Sequence, residues 1–232
     1  MGLFSKSFQN GVRTNHSCEY SLTIEKTSLG KLTFMRRKRF AESELETIER
    51  FLSALLYPLK NTLLYSQAIQ SAHTDPLTGV LNRSTLQSVF QKEVSLTKRH
   101  HSDLSLVTLD IDFFKVVNDI HGHAAGDMAL QEVTQCIEQT ARESDHIFRL
   151  GGEEFAVLLN ATNLKGAELL AERLRKAVQS LTIKHAENQF NLTVSMGITQ
   201  YCGNESLEMM MDRSDKALYE AKNTGRNKVV SA

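Results

Sequence analysis

The chain has 232 residues, 41% of them hydrophobic, and its 27 Lys and Arg balance 27 Asp and Glu. That length suits one large domain, or a domain of about 150 residues with an additional segment. The zero formal net charge excludes a global field that would draw in nucleic acid or a membrane, so any phosphate site must be built locally. Cys18, Cys136 and Cys202 lie far apart in patterns that match no zinc site, and are expected to be free thiols in a reducing compartment. No apolar run approaches the roughly 20 residues of a spanning helix, and no signal peptide is evident. "MGLFSKS" departs from a myristoylation site at Lys6. The expectation is a soluble cytoplasmic protein with no nucleic-acid partner and no membrane insertion.

In chain order, residues 1–18 are polar and predict a loose arm. "EYSLTIEKTSLGKLTFMRR" alternates and predicts two short strands around a turn near Ser28–Gly30. "RRKR" at 36–39 reads as a solvated charge run. From Ala41 to Ala72 the pattern is helical, with Leu45, Ile48, Leu52, Leu55 and Leu59 forming a heptad-like seam. Pro58 predicts a kink or break near Tyr57. Two readings of this helix stand: one packed on its own domain, and a dimer stalk.

"HTDPLTGVLNR" at 73–83 opens a second unit, giving a division into 1–72 and 73–232. Helices are predicted at 83–98, 124–142, 164–180 and 206–223, strands at 104–111 and 190–199, a hairpin at 146–159, and an edge strand in "NKVVS". This order fits an α+β domain with a mixed or antiparallel sheet and helices packed on it.

The hairpin carries "FRLGGEEFAVLL". Gly151-Gly152 suits a two-residue turn, but that does not explain Glu153 and Glu154. Neighbours in a strand point to opposite faces, so the two acids are expected not to be interchangeable. Asp110 and Asp112 close an apolar strand and share a face at i, i+2, as acids that hold a hard cation do; Asp112 also suits a helix N-cap. Lys115 and Asn118 follow at helical spacing, and together with a cation-holding acid they suggest a nucleotide. His121 and His123 lack companions for a zinc site. Asp127 reads as a helix cap or as an acceptor for a base N–H. Lys222 and Arg226, four apart with Gly225 between them as a helix stop, suit a helix C-terminus or a phosphate clamp.

Together "DPLTGVLNR", "LDIDFFKVVND", "GHAAGD", "RLGGEEF", "LTVSMGIT" and "DKALYEAKNTGRNKV" resemble the GGDEF family of diguanylate cyclases over about residues 73–230. The resemblance implies a palm-like, ferredoxin-like fold related to nucleotidyl cyclases. It implies condensation of two GTP into cyclic di-GMP with release of two pyrophosphates, by a homodimer. Mg²⁺ or Mn²⁺ would be held by Asp110, Glu153 and the carbonyl of Ile111. Glu153, Glu154 and Lys115 would take part in catalysis, with it left open which of the two acids, if either, accepts the 3′-hydroxyl proton. Asn118 and Asp127 would read guanine, while Lys115, Lys222 and Arg226 would hold phosphates. Phe113 and Phe114 would wall the phosphates, and Gly151 and Gly152 would let the backbone approach. Arg142 and Asp145, in "RESD", match the family's RxxD inhibitory site for the product, with Arg173 the arginine of a neighbouring domain. The sequence departs from the family at His121, where an aromatic is usual, at Ser214, where alanine is common, and in GGEEF for GGDEF.

The segment from "LGKLTFMRR" through "LLY" resembles the closing strand and final helix of a GAF-type sensor, too short for a whole one. It is also similar to the stalk of short cyclases switched on by a small protein. A truncated module completed by a regulatory partner or by the second subunit is expected. The rival reading, a catalytically inactive cyclic di-GMP receptor, sits poorly with the retention of Asp110, Glu153 and Glu154.

Overall fold

A computed structural model describes residues 9–24, 27–185 and 188–232, in two compact units, Met1–Gln70 and Ser71–Ala232. The first unit begins with β1 (His16–Ile24) and β2 (Thr27–Arg36), an antiparallel hairpin. The last pair of the hairpin is Ile24 with Thr27, so Ser28–Gly30, where the glycine suggested the turn, lies within β2. Gly30 instead sits within β2 opposite Leu22, where the register shifts; a glycine beside a bulge relieves the local distortion. The strand also takes in the last three residues of the expected loose arm, whose residues 1–8 lie outside the described residues. On one face Tyr20 meets Phe34 edge to face, with centroids 6.3 Å apart.

The charge run at 36–39 is only partly a solvated face. Arg36 leaves it to pair with Glu44 at 2.7 and 2.5 Å and to lie over the Phe40 ring. Glu44 also accepts from the Ala41 amide at 2.7 Å, the backward reach of a capping box. The Arg36 guanidinium, with that amide, holds the Glu44 carboxyl down to about 2. These contacts start α1 (Glu42–His73), which runs through Pro58 without interruption. The expected break is absent because a proline removes one amide donor while the neighbouring turns keep theirs. Along the seam, Leu52 is buried and Leu45, Ile48 and Leu59 are half-buried, whereas Leu55 is exposed with Phe51 and Tyr65.

The second unit contains β3 (Leu81–Asn82), α2 (Arg83–His100), β4 (Leu104–Ile111), α3 (Phe114–His121), α4 (His123–Thr140), β5 (His146–Gly151) and β6 (Glu154–Asn160). There follow α5 (Leu164–Ser180), β7 (Ile183–His185), β8 (Asn188–Phe190), β9 (Val194–Gln200), α6 (Leu207–Asn223) and β10 (Val229–Ser231). One sheet runs β10-β9-β4-β6-β5-β3, antiparallel through the centre and parallel at both ends. The mixed α+β class is as expected. The strand predicted at 190–199 is divided: Phe190 ends the β7–β8 hairpin, and β9 begins at Val194.

β4 is central and buried along its whole length. Its alternation divides the core. Val107, Leu109 and Ile111 pack with Val133 and Ile137 of α4 and Leu174 of α5. Leu104 and Leu106 join Leu86 and Phe90 of α2 and Met210 of α6. The even face therefore looks toward α6, and on that face lies Asp110.

Two departures from the family pattern are accounted for by packing. The Ser214 hydroxyl is buried but satisfied, 2.8 Å from Thr108 Oγ1 and donating to the Gly197 carbonyl at 3.0 Å. His121 stacks on Phe190 with centroids 4.5 Å apart and planes at 12°, so a planar ring still fills its position.

Gly197 is where β9 touches α6: a Cβ there would lie 2.0 Å from the Ser214 carbonyl and 2.5 Å from the Leu218 amide. Both are backbone atoms and cannot swing aside. Gly197→Ala should therefore destabilise the domain by about 1–3 kcal/mol or more, as overpacking does, read as a lowered urea midpoint.

Candidate active site

The tip of the β5–β6 hairpin is built differently from the expected Gly-Gly turn. Gly151 pairs with Glu154, so the two turn residues are Gly152 and Glu153. Gly152 has φ +52, and the register shifts between Arg149 and Gly151. Glu153 is thus a turn residue, and strand alternation begins only at Glu154. The argument that alternation sets the two acids on opposite faces fails for that reason. Both carboxylates act on Asp110.

Arg149 holds this tip. Its Nε and Nη2 donate to the Gly152 carbonyl at 3.1 and 2.8 Å, and its Nη1 donates to Asp75 Oδ1 at 2.9 Å. Asp75 also accepts from the amide and hydroxyl of Thr78 at 2.9 and 2.7 Å. "DPLTG" is thereby tied to "GGEEF". Sequence reasoning did not single out Arg149, although a charge amid the apolar residues of β5 was the available signal.

Asp110 lies opposite Glu154 on β6 and Ser195 on β9. The Ile111 amide donates to the Glu153 carbonyl at 3.4 Å, docking the tip on the end of β4. Burial pushes the Asp110 carboxyl above its ordinary range, and Glu153 and Glu154 add to the rise. Lys222 opposes it, with its Nζ 2.7 Å from Asp110 Oδ2.

Asp112 does other work than expected. It accepts from Thr193 Oγ1 at 2.7 Å, Ser195 Oγ at 2.6 Å and the Asn227 amide at 3.0 Å. It does not cap α3; Phe113 stands at that position, in the left-handed region at φ +57 and with no side-chain cap bond. Arg226, also left-handed at φ +59, places its guanidinium over the Phe113 ring, 4.6 Å from the centroid. Uncommon backbone conformations at Phe113 and Arg226 thus gather on one cleft, as such conformations do at functional sites.

That cleft, of about 200 Å³, is lined by Asp110, Ile111, Asp112 and Glu153, by Lys115, Lys222 and Arg226, and by Phe113 and Phe114. Of its three carboxylates Asp112 is committed to Thr193, Ser195 and Asn227 and Asp110 is paired with Lys222, so acids and cations share one small space. No group of three His, Cys, Asp or Glu side chains gathers as a metal site among the described residues; a set of two carboxylates and a main-chain oxygen needs no such group. α3 also carries Asn118, half-buried beside Gly126 of α4, with Asp127 next in sequence and exposed.

Elsewhere, Asp145 is buried, its two oxygens accepting from the Arg142 amide at 2.8 Å and the Asn160 amide at 3.3 Å. Arg142 is exposed. Arg173 of α5 donates to the carbonyl of Thr140 at the end of α4, so the two arginines approach the same end of that helix.

The family model described as "Diguanylate cyclase, GGDEF domain" matches residues 72–228. The chain belongs to this GGDEF family. It is 44% identical over 160 residues to diguanylate cyclase DgcP of Pseudomonas aeruginosa, covering 69% of this chain and 24% of that protein. To diguanylate cyclase A of Treponema denticola it is 36% identical over 195 residues, covering 82% and 52%. The chain thus spans between about a quarter and about half of these curated relatives. Among solved structures, the coiled coil and GGDEF domain of DgcB from Caulobacter crescentus in complex with c-di-GMP aligns with a TM-score of 0.71 at 30% identity, covering 81% of this chain and 99% of that one. Diguanylate cyclase SiaD in complex with its activator SiaC, from Pseudomonas aeruginosa, aligns at 0.68 and 35%, covering 82% and 72%. The GGDEF region begins within the last residues of α1 and takes in every strand of the six-stranded sheet except the edge strand β10. No helix among the described residues is long and apolar enough to cross a membrane.

Proposed function

We propose that this chain is a diguanylate cyclase that condenses two GTP into cyclic di-GMP. The observation that carries the reading is the cleft lined by Asp110 and Glu153 together with Lys115, Lys222 and Arg226. Acids and cations gathered in one cleft suit a triphosphate with a divalent ion. In each of two steps a 3′-oxygen bonds to the α-phosphorus of the other nucleotide, the bond to pyrophosphate breaks, and the hydroxyl proton leaves.

The donor set fits Mg²⁺ or Mn²⁺: the buried Asp110 is crowded by Glu153 and Glu154, and Lys222 opposes them. Held by Asp110, Glu153 and the Ile111 carbonyl, such an ion would lower the pKa of the attacking hydroxyl and neutralise charge at the α-phosphate. Lys115, Lys222 and Arg226 hold the phosphates. Arg226 is kept in place by its stacking on Phe113. Asn118 and Asp127 read guanine. Each domain holds one GTP, so two copies must meet for in-line attack, and the exposed Phe51, Leu55 and Tyr65 of α1 give a helix face for that pairing.

Purified protein with GTP and Mg²⁺ should yield cyclic di-GMP and pyrophosphate on product separation. A dimeric sample that makes none, even with cell extract added, would overturn the reading in favour of a receptor.

The product is expected to return to Arg142, Asp145 and an Arg173 from a neighbouring domain. Arg142→Ala should raise the product yield at late times without altering the initial rate; an unchanged progress curve would count against inhibition. Among the described residues β1 and β2 form a sheet of two strands alone, and isolated hairpins are marginal in water. A small activator protein or the second subunit completes this unit, in line with SiaD's complex with its activator.

A further inference from the structure

We propose that Gly126 sets base selectivity by leaving room for the Asn118 side chain. The inference rests on the reading of Asn118 and Asp127 as the guanine-binding pair. Gly126 is the fourth residue of α4 and is buried. It is not among the glycines with positive φ, so no backbone requirement explains it. Its position inside a helix costs about 0.8–1.0 kcal/mol relative to alanine, which calls for a reason of packing or function.

The reason lies across the α3–α4 pair. A Cβ on Gly126 would stand 1.9 Å from Asn118 Oδ1, 3.0 Å from Asn118 Cγ and 3.3 Å from Phe114 Cζ. The Asn118 carboxamide therefore lies in the space a side chain would fill, directly beside the residue that precedes Asp127. This differs in kind from Gly197, whose obstructing atoms are backbone. The Asn118 amide is the free end of a side chain and can rotate away. A methyl group at residue 126 would be accommodated by the fold at the expense of the amide's place. Phe114, buried beneath, blocks a compensating shift toward the core. Gly126 is thus a positioning residue that acts through Asn118. Guanine offers an acceptor at O6 where adenine carries an amino donor, so a displaced carboxamide weakens the contacts that separate the two bases.

The experiment is a cycle of Gly126→Ala, Asn118→Ala and the double variant in the full chain, each titrated with Mg²⁺ and non-hydrolysable analogues of GTP and ATP, with thermal unfolding alongside. Gly126→Ala should weaken the guanine analogue about tenfold, the loss of one hydrogen-bonding group. It should leave the adenine analogue unchanged and the unfolding temperature equal or higher. In the Asn118→Ala background the same substitution should add nothing. Wild-type guanine affinity in Gly126→Ala, equal losses for both bases, or losses that multiply in the double variant would each overturn the role given to Gly126. If Asn118→Ala alone keeps full guanine affinity, the assignment of Asn118 to the base is what fails.

Discussion

Glu153→Gln should reduce metal-dependent turnover by a factor of about 1,000 or more while leaving the fold and the binding of cyclic di-GMP intact. The amide keeps the shape of the side chain and removes its charge. A divalent ion at this position would then face Asp110 and a neutral carbonyl, losing several kcal/mol of charge stabilisation in the transition state. The loss of charge has a second consequence. Glu153 and Glu154 both push the buried Asp110 carboxyl upward, so removing one acid relieves repulsion in the metal-free protein. The unfolding temperature should stay level or rise, as it does when a strained functional site is neutralised. Product separation, calorimetric titration with cyclic di-GMP and thermal unfolding test the three parts. A fully active Glu153→Gln protein would remove the assignment of this acid.

Arg149→Ala should lower kcat by about 10- to 100-fold with a much smaller change in KM. Arg149 has no place in the cleft; it fixes the Gly152 carbonyl, and so the residue before Glu153, against Asp75. A displacement of about 1 Å at a reacting centre costs up to about a hundredfold. Arg149→Lys should rescue little, because an ammonium cannot reproduce the planar fork that spans Gly152 and Asp75. Stability should fall by about 1–3 kcal/mol, the scale of a charged hydrogen bond. Acid titration adds a check with a definite sign. Burial pushes the Asp75 carboxyl up, but the Thr78 hydroxyl, Arg149 and the Thr78 amide together outweigh it and hold the group below its ordinary 3.8. A depressed folded-state pKa means stability that is fully present above 3.8 and is lost as pH falls through the lower folded value. The gap between wild type and Arg149→Ala should therefore narrow in strong acid. A constant gap across that range would show that the pair contributes no charge-dependent stability.

The second unit was more legible than the first because its signals were local and mutually consistent. "LSLVTLDI" is apolar on both faces, as a strand covered by two helix layers must be, and β4 is that strand. Lys115 with Asn118 was visible because helical spacing is a property of neighbours, and Lys222 with Arg226 because Gly225 marks a helix end between them; Arg226 lies beyond α6, in the left-handed region. The hairpin was misread by one residue. Gly-Gly fits several turns, and the choice of Gly152–Glu153 depends on a register shift beside Arg149. Asp112 was misassigned because its partners, Thr193, Ser195 and Asn227, lie between 81 and 115 residues away. In the first unit Gly30 drew the turn toward itself, while the chain used it opposite a bulge.

By itself, the sequence determined the order of elements, the alternation that gives the sheet two covered faces, and the chemical types available: acids at two strand ends, cations along two helices, an asparagine and an aspartate near a glycine. These follow from periodicity and residue chemistry over a few positions. Only the tertiary structure decided which of those groups meet. It joined Asp110 to Lys222, committed Asp112 to holding the chain at Asn227, set Arg226 on Phe113, and laid the Asn118 amide in the space above Gly126. Each of these contacts depends on the packing of separate elements, and a distance set across a core is not encoded in the spacing of residues along the chain.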